Sequence, residues 1–170
     1  MSHPLLFVLG GARSGKSRYA LERAEARGLE PVFIATAQAF DAEMRERIAL
    51  HQAERSGAWT SIEAPLALTG AIERTASPHR IVLVDCLTLW VSNLMLAGQD
   101  SATAFVGLVS ALDKRAGPVI LVSDEVGLGI VPDNKLARDF RDLAGTLNQR
   151  VAAVADEVQF VAAGLPLRMK

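Results

Sequence analysis

A chain of 170 residues, half of them hydrophobic and 22% charged, is long enough to bury most of its apolar surface in one domain and too apolar to stay disordered. With a net charge of −1, the sequence offers nothing of the one-sided basic surface that nucleic-acid binding by counterion release requires. The longest apolar runs, Leu5 to Leu9 and Ile81 to Val84, fall far below the roughly 20 residues of a membrane-crossing helix; a lone Cys86 excludes an intrachain disulfide.

Taken in order, the chain alternates. A strand is predicted over 5–9, a helix over 16–27, a strand over 31–35, a helix over 41–55, a strand over 59–63, a helix over 66–76 and a strand over 80–85. Helices over 87–97 and 101–115, a strand over 118–123, a helix over 134–155 and a strand over 157–162 follow. Strands recurring between helices imply an α/β fold with a largely parallel sheet covered on both faces. No repeat or long linker interrupts residues 1–170, so a single domain is expected. The opening Met1-Ser2-His3-Pro4 has no basic segment leading into an apolar one, and a cytoplasmic location is expected.

Two helices stand out. Over 134–155, Leu136, Phe140, Leu143, Leu147, Val151 and Val154 share one face, and Arg138, Arg141 and Asn148 are expected to face away. Over 87–97, Leu87, Leu89, Trp90, Val91, Leu94, Met95 and Leu96 leave hardly any polar face. Such a helix is buried, or it meets another subunit or an apolar ligand.

The first strand runs directly into Gly10-Gly11-Ala12-Arg13-Ser14-Gly15-Lys16-Ser17 and then into a helix. This is G-x-x-x-x-G-K-S in the strand-to-helix setting that a phosphate-binding loop needs. Gly10, Gly11 and Gly15 are expected to allow positive φ and a close approach, so that successive N–H groups turn toward an anion at the positive end of the helix dipole. Lys16 then bridges the β- and γ-phosphates, and the Ser17 hydroxyl takes a position on Mg²⁺. All eight residues are assigned to a nucleoside triphosphate site.

Other residues gather around that assignment. Ile81-Val82-Leu83-Val84-Asp85 is an apolar strand ending in a carboxylate, and Asp85, on a strand expected beside the loop, would hold Mg²⁺ directly or through water. On a helix over 41–55, Phe40, Met44, Ile48, His51 and Arg55 fall on one face, which points His51 toward the body of the protein. Two roles are open to it. It is a hydrogen-bonded core histidine, or it is a nucleophile whose imidazole, with an ordinary pKa of about 6.5, faces the triphosphate in its neutral form. Ile34-Ala35-Thr36-Ala37-Gln38 and Asp124-Glu125-Val126-Gly127-Leu128-Gly129-Ile130-Val131-Pro132 both leave strand ends, where ligands collect in open α/β sheets.

Several stretches then converge. The phosphate loop, Ile34-Ala35-Thr36, Asp41-Ala42-Glu43-Met44 with Arg47-Ile48 and His51, Glu125-Val126-Gly127-Leu128-Gly129-Ile130-Val131-Pro132, and Leu136-Ala137-Arg138-Asp139-Phe140-Arg141-Asp142 with Asn148-Gln149-Arg150 together resemble the bifunctional adenosylcobinamide kinase and adenosylcobinamide-phosphate guanylyltransferase family of cobalamin biosynthesis. The resemblance runs from the first strand to the C-terminus, and the E-V-G-x-G-I-V-P loop is its most specific part.

The resemblance implies a RecA-like P-loop NTPase domain, typically assembled as a homotrimer, that carries out two reactions. The γ-phosphate of ATP or GTP passes to the hydroxyl of the aminopropanol arm of adenosylcobinamide; GMP from GTP is then transferred to that phosphate, giving adenosylcobinamide-GDP and pyrophosphate. The guanylyl group rests on a histidine, and His51 stands at the matching place. By the same match Ala35, Thr36, Ala37, Gln52, Ala53, Glu54, Arg55, Glu63 and Asp85 surround the guanine nucleotide. Two positions depart from the family's pattern: Asp124 stands where Asn is frequent, adding negative charge near the phosphates, and Asp85 where Glu is frequent, shortening the reach to the metal. Short of the resemblance, two rivals stand: a P-loop kinase acting on another small alcohol, and a nucleotide-operated binding or assembly protein.

Overall fold

Strand β1 (Leu5–Gly10) is apolar on both sides and wholly buried, as a strand must be when helices cover each face of its sheet. The computed structural model describes residues 3–38 and 57–170. The predicted helix over 41–55, and with it His51, Gln52, Ala53, Glu54 and Arg55, lies outside the described residues.

After β1 come α1 (Lys16–Glu25), β2 (Glu30–Ala35), β3 (Thr60–Glu63), α2 (Leu68–Thr75), β4 (Arg80–Asp85), α3 (Leu87–Leu96), α4 (Ser101–Asp113), β5 (Val119–Asp124), α5 (Lys135–Val154), β6 (Glu157–Ala162) and β7 (Leu165–Arg168). The strands form one sheet in the order β3-β2-β4-β5-β1-β6-β7. Among the described strands only β7 runs antiparallel, against β6. The arrangement is an α/β fold with a largely parallel sheet, in which β5 separates the strand that feeds the phosphate loop from the strand that ends in Asp85.

The two faces are unequally covered among the described residues. One carries α2, α3, α4 and α5 over Leu5, Phe7, Ile34, Val82, Val84 and Leu121, with Trp90, Phe105, Leu108 and Leu147 between the layers. The indole Nε1 of Trp90 donates to the carbonyl of Leu66 at 2.9 Å, which satisfies the one polar atom of a buried ring. The other face carries α1, whose Ala20 and Ala24 lie on Leu6, Val8, Leu83, Ile120 and Val122. Small residues on α1 bring the helix close to the strands, and the helix starts at the phosphate loop.

Two readings are corrected. Asn148 does not face away: it is 6% exposed and shares the buried face of α5 with Ala144, Leu147 and Val151, while Leu136 at the start of that helix is exposed. Strand β7 was not predicted, because its residues are all exposed and its two-residue turn, Ala163-Gly164, carries no Asn or Asp. Both turn residues have positive φ, 52° and 76°, the conformation that tight hairpins require. Helix α3 is buried except at Leu96 and, partly, at Leu89, Ser92 and Met95.

One surface ion pair makes a pH prediction. Arg23 on α1 meets Glu157 at the start of β6 through two parallel hydrogen bonds of 2.8 Å, and the guanidinium holds the Glu157 carboxyl down at about 2. The folded value lies below the roughly 4.3 of a free Glu, so the pair's contribution to stability is present above that pH and is lost as pH falls toward 2. Glu157→Gln is expected to lower stability at pH 7 by the pair's contribution and to change little near pH 2, so that the acid limb between those values flattens; acid titration of unfolding for both proteins checks it.

Candidate active site

The strand register brings the C-terminal ends of five strands to one edge. Gly10 pairs with Asp124, Ala35 with Asp85, and Ala35 again with Glu63. Gly10, Ala35, Glu63, Asp85 and Asp124 therefore share the edge from which the loops leave, the place where open α/β sheets hold ligands.

The phosphate loop is shaped by its packing. A Cβ on Gly10 would lie 2.5 Å from both Ser14 Oγ and the Val161 carbonyl oxygen, so this position excludes any side chain. Positive φ falls at Arg13 (54°) and Gly15 (93°); Gly10 and Gly11 do not use it, contrary to expectation. Gly15 serves as the N-cap of α1, and a Cβ there would meet Gly164 Cα at 3.1 Å. The Gly164 amide donates to the Ser14 carbonyl at 2.7 Å, so the turn between β6 and β7 braces the loop from behind.

Two atoms in this cradle are poised for an anion. Ser14 Oγ is buried with no hydrogen-bond partner among the described residues, an unfavourable state for a hydroxyl unless a ligand satisfies it. Lys16, 9% exposed, directs its ammonium to the Gly11 carbonyl at 3.2 Å and to Asp124 Oδ1 at 2.5 Å. A buried cation at a helix N-terminus needs an anion, and here Asp124 supplies it.

Asp124 is in turn fixed by groups that pattern reading of the sequence did not single out. Its amide donates to Thr88 Oγ1 at 2.6 Å, Ser123 Oγ donates to Asn148 Oδ1 at 2.8 Å, and Asn148 Nδ2 donates to the Asp124 carbonyl at 3.3 Å. For Asn148 the signal in the sequence is its place in the Asn148-Gln149-Arg150 stretch of the resemblance, since the helix period was expected to turn it outward. Asn148→Ala leaves Ser123 and the Asp124 carbonyl without this partner in a dry layer, and is expected to cost about 1–3 kcal/mol of stability by chemical denaturation. Asn93, likewise amid apolar neighbours, donates to the carbonyls of Thr36 and Pro65 at 2.8 and 2.9 Å and ties together the segments leaving β2 and β3.

Thr36 is fully buried. Its hydroxyl donates to the Cys86 carbonyl at 2.7 Å and accepts the Cys86 amide at 2.9 Å, so it holds the turn after Asp85. Burial, reinforced by the charges of Asp85 and Asp124, pushes the Cys86 thiol up to about 12, which leaves it no thiolate for nucleophilic chemistry at neutral pH. Ala35 and Ala37 are half-buried and Glu63 is exposed.

Asp85 does not lie on the strand next to the loop, as expected from sequence, because β5 intervenes. The groups that the sequence assigns to a cation are hard oxygens, the Ser17 hydroxyl and the Asp85 carboxylate. Among the described residues no group of three or more His, Cys, Asp or Glu gathers as a self-sufficient metal site. Such a sparse set suits Mg²⁺, which is commonly held by one or two protein ligands together with phosphate oxygens and water.

The family model for cobinamide kinase / cobinamide phosphate guanyltransferase matches residues 6–169. The chain belongs to this family. It is therefore a kinase and nucleotidyltransferase of cobalamin biosynthesis. The bifunctional adenosylcobalamin biosynthesis protein CobP of Pseudomonas aeruginosa is 47% identical to it over 96% of this chain and 95% of that protein. The bifunctional adenosylcobalamin biosynthesis protein CobU of Escherichia coli is 37% identical over 98% of this chain and 99% of that protein. A solved structure of protein PH0250 from Pyrococcus horikoshii matches with a TM-score of 0.54 at 8% identity, over 98% of this chain and 86% of that one, a likeness of fold alone. No helix among the described residues is long and apolar enough to cross a membrane.

Proposed function

We propose that this member of the cobinamide kinase / guanyltransferase family phosphorylates adenosylcobinamide with ATP or GTP and then guanylylates the product through a phosphoramidate on His51. GTP lies with its phosphates in the Gly10–Ser17 loop. An imidazole nitrogen of His51 attacks the α-phosphorus; the N–P bond forms as the bond to the bridging oxygen breaks, and pyrophosphate leaves toward Lys16. A phosphate oxygen of adenosylcobinamide-phosphate then displaces the histidine, giving adenosylcobinamide-GDP and restoring the neutral imidazole. Ser17 and Asp85 would hold Mg²⁺, whose contribution is to neutralise charge developing on the phosphates. Ala35, Ala37, Gln52, Ala53, Glu54, Arg55 and Glu63 are assigned to the guanine nucleotide, and Thr36 to the support of that wall. The assembly is proposed to be a cytoplasmic homotrimer.

The observation that carries the choice of His51 is the location of the chain's other two histidines. The carbonyl of His3, just before β1, accepts from Arg115 Nε, and that of His79, just before β4, accepts the Glu30 amide. Both stand at the N-terminal ends of their strands. Lys16 follows the opposite end, and six residues of strand separate the two edges by about 20 Å. Their distance from a phosphate on Lys16 supports His51, the histidine that the resemblance assigns, as the nucleophile.

The deciding assay incubates purified protein with adenosylcobinamide, GTP and Mg²⁺ and resolves the products. Adenosylcobinamide-phosphate should appear before adenosylcobinamide-GDP, and pyrophosphate should be released in proportion to the latter. Phosphorylation without any GDP-linked product would reduce the protein to a kinase.

A further inference from the structure

We propose that the loop between β5 and α5 is the corrinoid-docking rim of the active site: Leu128, Ile130 and Val131 form an apolar surface for the macrocycle while its hydroxyl-bearing arm reaches the phosphates at Lys16. The inference rests on the Gly10–Ser17 loop being the nucleotide site.

The loop presents apolar groups to water and is nevertheless tied down. Leu128 is 81% exposed, Ile130 98% and Val131 64%, within four consecutive residues. Free apolar segments ordinarily fold back onto the nearest apolar surface. This one is held away from such collapse at both ends. The Glu125 amide donates to the Gly10 carbonyl at 3.0 Å, the Glu125 carboxylate accepts the Gly127 amide at 2.6 Å, and Arg141 donates to the Gly127 carbonyl. On the far side Arg138 donates to the carbonyls of Pro132 and Asp133 at 2.9 and 2.7 Å. Two arginines from α5 thus clamp the backbone on either side of residues 128–131, an arrangement that pre-organises an apolar surface for a ligand at low ordering cost.

Position selects the occupant. The loop starts at Asp124, whose carboxylate touches Lys16, and its second residue is hydrogen-bonded to the first glycine of the phosphate loop. The apolar rim is therefore continuous with the place where phosphoryl transfer occurs. The acceptor of both reactions is a large macrocycle, with methyl groups set among the amide arms of its rim, that must dock with one arm in that place. A second copy of this chain is the competing occupant.

Leu128→Ser and Ile130→Ser test the assignment, since side chains so exposed contribute little to the fold. Each is expected to raise KM for adenosylcobinamide about tenfold, and the pair about a hundredfold, with KM for GTP and the yield of GTP-labelled protein unchanged. An unchanged corrinoid KM overturns the proposal, and it does so in favour of a subunit contact if sedimentation shows the variants dissociating. A loss of GTP labelling in either variant also overturns it, by placing the loop in nucleotide binding. Failure of the wild-type protein to label with GTP would instead remove the nucleotide-site reading beneath it.

Discussion

Lys16→Ala is expected to abolish both activities together, lowering kcat/KM for adenosylcobinamide phosphorylation and for guanylyl transfer by on the order of 10³-fold or more, equivalent to about 4 kcal/mol of transition-state stabilisation. The ammonium is the one cationic side chain the loop directs into its own cradle, 9% exposed and held on Gly11 and Asp124. In a water-poor site, a charge pre-positioned where phosphate charge develops is worth far more than the same charge on the surface. The substitution also strands Asp124, whose carboxylate keeps 26% of its exposure and lies on the same sheet edge as Asp85. Asp124→Asn removes that cost. In the double variant the stability of the fold should recover, while activity stays lost. Loss of one reaction with retention of the other would mean that two nucleotide sites exist.

His51→Ala is expected to leave phosphorylation intact and to stop the second reaction. With GTP labelled in the α-phosphate, the wild-type protein should acquire an acid-labile, base-stable adduct that the variant does not form. Guanylyl transfer should fall by on the order of 10⁴ to 10⁶-fold, the range seen when a covalent nucleophile or its activating base is removed, and adenosylcobinamide-phosphate should accumulate. Undiminished labelling of His51→Ala would sink the nucleophile assignment. Because His3 and His79 lie at the far edge of the sheet, labelling of either would contradict the geometry of the site as well.

The fold was legible where the sequence obeys local rules. Eleven of the predicted elements fall among the described residues and all are present, with ends shifted by a residue or two, because apolar runs ending in Gly or Asp and helices of period 3.6 are properties of neighbouring residues. What could not be read is what depends on pairing between distant ones. Sheet order decides that β5, not β4, flanks the phosphate loop, and so makes Asp124 the partner of Lys16 and sets Asp85 one strand further away. The inward turn of Asn148 is hidden for a similar reason, since a buried amide is invisible to hydropathy until its partners Ser123 and Asp124 are known. Gly10 illustrates a subtler limit. The motif calls for glycine there, and the reason lies in Val161, 151 positions away in the chain and 2.5 Å from where a Cβ would sit.

The place of β1 between β5 and β6 has a bearing on biogenesis. The phosphate loop is made roughly a hundred residues or more before either strand that flanks it, and before the Gly164 turn that props it. Such long-range closure is slow relative to helix formation, so nucleotide capture becomes possible only once β5 and β6 have been made, and loss of the β6–β7 hairpin should disable a motif that lies far upstream in the chain.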